Sequence, residues 1–133
     1  MIDIKNPEGY PDPTAAEAIS RAGRYIPYMP IVYVCSPYSG DVVGNTDKAK
    51  RYSRYVVDHK AIPLTPHLFL PLFMSEETER DLAMRMDMIF LDRCEAVWVF
   101  GEEITAGMKK EISRARRRNI PVRYIKEVDL CSK

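Results

Sequence analysis

The sequence is poor in the residues that build metal centres and disulfide scaffolds. It has two histidines, His59 and His67, and neither has a partner at metal-ligand spacing. Three cysteines, Cys35, Cys94 and Cys131, are scattered, odd in number and without a CxxC pair. That pattern argues against a disulfide framework and for thiols kept reduced. No apolar run approaches the length of a membrane span, and Asp3, Lys5 and Glu8 stand where a signal peptide needs an apolar region. A cytoplasmic protein with no membrane partner is therefore expected. A strong excess of one charge is missing too. Twenty Lys and Arg against 19 Asp and Glu give a formal net charge of +1. Such a balance leaves no long-range field for holding a nucleic-acid polymer. No GK[ST] follows the glycines and no GxGxxG occurs, which excludes the Walker A and dinucleotide fingerprints. Internal repeats and low-complexity segments are absent.

What remains is an ordinary globular composition of 133 residues, 46% hydrophobic and 29% charged, enough for one domain with a real core. Residues 1–29 read as an N-terminal appendage, a Pro- and Gly-containing arm over 1–13 followed by a short helix over 14–24 capped by Thr14. Residues 30–133 form the main domain. It opens on Pro30-Ile-Val-Tyr-Val-Cys35, a continuous apolar, β-branched run that reads as a buried parallel strand. A helix is predicted over 46–60, a strand over 61–65 and a helix opened by Ser75 and running to about Cys94. A strand over 95–100, a helix over 105–119 and a strand over 121–125 follow. Strands alternating with helices predict an α/β, three-layer Rossmann-like (flavodoxin-like) domain with a mainly parallel sheet of four or five strands.

One acid is out of place in this pattern. The helix over 105–119 has an apolar stripe of Met108, Ile112 and Ala115, and Glu111 occupies position i+3 of that stripe. Lys109, Lys110 and the run Arg114-Ala-Arg-Arg-Arg118 already supply a solvated outer face. Burying a carboxylate is costly unless it is paired or used. The plainer alternative is a flank residue that bends outward to pair with Arg114 or Arg118. Asp87 repeats the anomaly as the single charge in the stripe Ala83, Asp87, Phe90, Cys94. In an open parallel sheet, ligands bind beyond the carboxyl ends of the strands, where the loops over 36–45, 66–71 and 101–105 gather. Two acids there suit glycosidic chemistry, one attacking an anomeric carbon while another group handles the leaving group's proton.

Several short motifs, taken in order and spacing, carry a resemblance. They are Tyr33-Val-Cys-Ser-Pro-Tyr-Ser-Gly40, Leu64-Thr-Pro-His67, Asp87 with Cys94-Glu-Ala-Val-Trp-Val99, and Thr105-Ala-Gly-Met-Lys-Lys-Glu111. Together they resemble the nucleoside 2-deoxyribosyltransferases and the related deoxynucleoside 5′-monophosphate N-glycosidases. The resemblance implies Glu111 as nucleophile, Asp87 as its partner acid and Tyr33 as the active-site tyrosine. It also implies a nucleoside or nucleotide site around Ser36, Tyr38, Ser39 and Gly40 of the first loop, with His67, Thr105, Gly107 and Met108. No metal or cofactor is implied, and a homo-oligomer is expected. The monophosphate glycosidases place a serine where this chain has Thr105, and the nucleoside transferases an aspartate, so Thr105 suits a phosphate. Thr105 is equally a plain helix N-cap, and the two uses are compatible. The first loop lacks the arginine of the glycosidases' phosphate cradle, and Glu102 and Glu103 lie close by. The functional expectation is cleavage or exchange of an N-glycosidic bond on a small-molecule nucleotide or nucleoside. The alternatives are a non-catalytic nucleotide-binding module and a regulatory domain acting through an oligomeric surface, with the helix over 14–24 docking.

Overall fold

The computed structural model describes residues 27–131, so the arm and short helix expected over 1–24 lie outside the described residues. The elements run β1 (Ile31–Cys35), α1 (Val42–Asp58), β2 (Ile62–Leu64), 3-10 turns at Pro66–Leu68 and Leu70–Leu72, and α2 (Arg80–Asp92). Then come β3 (Ala96–Val99), α3 (Ala106–Arg117), β4 (Val122–Tyr124) and α4 (Glu127–Cys131). The four strands pair in the order β2-β1-β3-β4, and every pairing is parallel. From β1 the chain crosses to β2 on one side, then returns to lay β3 and β4 on the other. The order therefore reverses between β1 and β3, and in such sheets the crevice at the strands' carboxyl ends opens at that point.

Parallel strands are covered on both faces, so β1 is apolar throughout and its alternate residues enter different cores. Val32 and Val34 point to one face, where Tyr52, Tyr55 and Val56 of α1 pack with Phe100 and Ile125. Tyr33 and Cys35 point to the other, against Leu91 of α2, Val97 and Val99 of β3, and Met108, Ile112 and Ala115 of α3. Aromatic side chains fill the first face. Tyr52 stacks on Phe100 at 4.7 Å between centroids, and Tyr55 meets Phe100 and Trp98 edge-on. Arg123 lies 5.1 Å above the Trp98 ring.

The elements follow the expected order, with boundaries moved by capping. α1 begins at Val42, ahead of the expected residue 46, because Asp41 caps it and accepts from the Gly44 N–H at 3.1 Å. Gly40 makes the approach possible with φ +94°, a conformation that side chains rarely adopt. α2 begins later than Ser75. Ser75 Oγ accepts from the Thr78 N–H at 3.4 Å and Glu79 Oε1 accepts from the Ser75 N–H at 2.9 Å, closing a separate turn before regular helix starts at Arg80. The expected loop over 66–71 coils into two 3-10 turns, each with a proline in its first two positions. α4 was not expected, and the Tyr52 hydroxyl ties it down by donating to Glu127 Oε1 at 3.3 Å. Among the described residues no helix is long and apolar enough to cross a membrane.

Candidate active site

Glu111 faces inward. The outward alternative is closed because Arg114 is engaged elsewhere, donating twice to Asp92 at 2.9 and 2.6 Å, with Arg118 3.6 Å from the same carboxylate. The 3.6-residue period that buries Met108, Ile112 and Ala115 turns the Glu111 side chain toward the carboxyl end of β1. There the Tyr33 hydroxyl donates to Oε2 and the Cys35 thiol, 3.3 Å away, donates to Oε1. Tyr33 and Cys35 stand two apart on one strand and so share a face.

The other side of Glu111 borders a cavity of about 120 Å³ at the crevice. Asp87 and Glu111 both line it, with Ser36, Tyr38 and Ser39 of the first loop, His67, and Thr105, Gly107 and Met108 at the start of α3. Two of the residues named from sequence do not. Tyr33 lies beneath Glu111 and meets the cavity only through it, and Gly40 shapes the turn into α1. The Thr105 hydroxyl accepts from the Met108 N–H at 3.2 Å, so it caps α3 and lines the cavity at once. A Cβ on Gly107 would meet only Thr105 Oγ1, at 4.0 Å, which leaves the first turn of α3 open to a ligand. The first amides of a helix have no partner within the helix and attract anions.

The electrostatics follow from burial. Burial pushes the Glu111 carboxyl up to about 7; hydrogen bonds from Tyr33 and Cys35 pull it down and the Asp87 charge pushes it further up. Asp87 rises to about 7 through burial and the charge of Glu76. Its Oδ1 is buried with no hydrogen-bond partner among the described residues. The two acids repel, so their titrations are coupled, and near neutrality the pair holds about one proton between them. Tyr33 and Cys35 are raised well above their ordinary values, first by burial and then by the Glu111 charge, so both stay protonated as donors. Burial lowers His67 to about 4, leaving a neutral imidazole whose Nε2 is 3.2 Å from Ser36 Oγ. Tyr38 packs against that ring at 5.4 Å. No group of three or more His, Cys, Asp or Glu could hold a metal ion among the described residues.

The cavity also contains residues that no sequence motif singles out. Arg80 and Glu76 bring opposite charges, while Leu70, Met74 and Met84 make an apolar wall. Arg80 has no ion pair among the described residues. A cation at the first position of a helix opposes the helix dipole, and that misfit is the signal that could have drawn attention to it.

The fold is the flavodoxin-like α/β fold of the 2-deoxyribosyltransferases. A solved structure of the 2-deoxyribosyltransferase from the psychrotolerant bacterium Bacillus psychrosaccharolyticus matches at a TM-score of 0.51 and 19% identity, covering 74% of this chain and 79% of that one. That enzyme is described as a biocatalyst for the synthesis of antiviral and antitumoral nucleosides. The chain itself belongs to the family described as Domain of unknown function (DUF7768), whose profile matches residues 30–125. No curated protein matches it significantly in sequence.

Proposed function

We propose that this protein cleaves or exchanges the N-glycosidic bond of a nucleoside or nucleoside 5′-monophosphate through a covalent glycosyl ester on Glu111. The observation that carries the reading is a partly buried carboxylate held by two donors from one strand, lining the same cavity as a second, raised acid at the sheet's switch point. Glu111 in its charged form attacks C1′ as the C1′–N bond breaks, and protonated Asp87 gives its proton to the departing base. Water or a second base then attacks C1′, the ester bond breaks, and the acceptor's proton returns to Asp87. The pair suits this cycle because it holds about one proton near neutral pH, leaving one acid to attack and one to donate.

The first turn of α3 with the Thr105 hydroxyl, and Arg80 across the cavity, support an anionic 5′ group. Neutral His67, Tyr38 and Ser36 form the wall suited to the base. A cavity of about 120 Å³ is small for a whole nucleotide, since small-molecule sites are typically ~300–1,000 Å³. Part of the ligand then lies over the mouth, and Leu72 and Phe73, 81% and 70% exposed, belong to the segment that supplies Leu70 and Met74 to the wall. That arrangement supports a homo-oligomer in which a second copy covers the mouth, and sedimentation with and without ligand checks it. The activity is tested by incubating the protein with a panel of nucleosides and nucleoside monophosphates and measuring free base. Release by the wild type and none by Glu111→Gln supports the reading. Binding without release by the wild type would make the protein a nucleotide-binding module.

A further inference from the structure

Cys35 has no part in the proposed bond changes, yet its sulfur touches the proposed nucleophile. It ends β1 and is 0% exposed. Its Sγ has two acceptors within reach, Glu111 Oε1 at 3.3 Å and the Met108 carbonyl at 3.9 Å. A thiol carries one hydrogen, and the nearer, anionic acceptor is the stronger competitor for it. Tyr33 meanwhile donates to Oε2. Both carboxylate oxygens are thus held from β1, by residues i and i+2 of one strand. One donor alone would leave the carboxylate free to turn about that contact. Two donors on a central strand fix its plane.

We propose that Cys35 is a positioning residue for Glu111, its thiol donating to Oε1 while Tyr33 donates to Oε2, so that β1 sets the plane of the carboxylate facing the cavity. The structural part stands on these contacts, and the kinetic part rests on the glycosidic reading above. The titratable groups around Glu111 are Tyr33 and Cys35 from β1, Tyr38 from the loop after β1, Asp87 and Arg80 from α2, Glu76 from the turn before α2, and His67 from the first 3-10 turn. Only Tyr33 and Cys35 hydrogen-bond to it among the described residues. A donor to a carboxylate favours its charged form, so removing the thiol shifts Glu111 toward the protonated state.

The test titrates Glu111 by carbon NMR of protein labelled at glutamate carboxyls, with the signal assigned through Glu111→Gln. Wild type is compared with Cys35→Ala and Cys35→Ser. In Cys35→Ala the Glu111 midpoint should move to higher pH, leaving roughly threefold less of the charged form at pH 6, a size that suits a weak S–H donor on a charged acceptor. Cys35→Ser keeps a donor and should restore the wild-type titration. The acid limb of kcat/KM should move with the midpoint, and the rates should converge at high pH, whereas a merely structural loss would lower the rate at every pH. If Cys35→Ala does not fold, Cys35→Val supplies bulk without a donor and should show the same shift. A folded donor-free variant with an unmoved midpoint overturns the proposal. If no variant releases base from any substrate, the NMR shift still decides the role of Cys35, and only the glycosidic reading falls.

Discussion

The two faces of the sheet are built to different ends from the same strand. Toward α1, Val32 and Val34 meet Val56, Tyr52, Tyr55 and Phe100, and the aromatic rings stack or meet edge-on. Toward α2 and α3, Tyr33 and Cys35 enter an equally apolar cluster, but at its upper edge stands Glu111, with Asp87 on the neighbouring helix. The first face lowers the free energy of the fold with little unmet polar demand. The second keeps two carboxyls where charge is disfavoured, and one of them has a buried oxygen without a partner among the described residues. Sites that run against folding stability in this way are where function is expected.

Breaking each face should therefore produce different losses, and the largest is at Glu111. Glu111→Gln should lower turnover by three orders of magnitude or more, roughly 4 kcal/mol of barrier, with the fold retained. Val56→Ala on the opposite face should do the reverse, costing about 2 kcal/mol of stability in denaturant titration and leaving the pH profile of turnover unchanged.

Asp87→Asn comes next. Loss of the proposed general acid should reduce base release on the order of a hundredfold at pH 7. It should also move the acid limb of kcat/KM to lower pH, because the Asp87 charge helps raise Glu111. Stability should respond in the opposite sense. A carboxyl whose folded value lies above its unfolded one stabilises the fold only where both states hold the proton. For Asp87 that contribution is complete below its unfolded value near 4 and is lost as pH rises through about 7. The asparagine variant should accordingly match wild type near pH 4 and exceed it at pH 8, by about 1 kcal/mol, in thermal or chemical unfolding.

The smallest effects belong to the cavity's outer rim. Arg80→Gln should lower kcat/KM for monophosphates about tenfold relative to nucleosides. Thr105→Asp keeps a capping oxygen and adds a negative charge beside the site, so it should shift preference the same way without unfolding α3. Equal substrate ratios in wild type and both variants would remove the phosphate from the account and leave the nucleophile untouched.

Sequence periodicity was enough to read the α3 stripe and the inward position of Glu111, since a 3.6-residue period assigns a face directly. The order of strands and helices was legible for the same reason. The partners of Glu111 on β1 were not. A strand buried on both faces is apolar at every position, so alternation gives no clue that Tyr33 and Cys35 share the side of the acid while Val32 and Val34 do not. Tyr33 is legible only through family resemblance, and Cys35 reads as an ordinary free thiol. Arg80 is hidden by the Ser75 signal, which sets the expected helix start five residues early and leaves Arg80 past the first turn, where a cation does not oppose the helix dipole. Helix α4 is too short for periodicity to declare it.

The central claim is that a carboxylate oxygen of Glu111 bonds to the sugar C1′ during turnover, and peptide mass spectrometry of enzyme quenched during turnover tests it most directly. The account predicts a glycosyl mass on the peptide containing Glu111, present in wild type with substrate and absent in Glu111→Gln. A sugar on a different residue, or steady base release by Glu111→Gln, would contradict it.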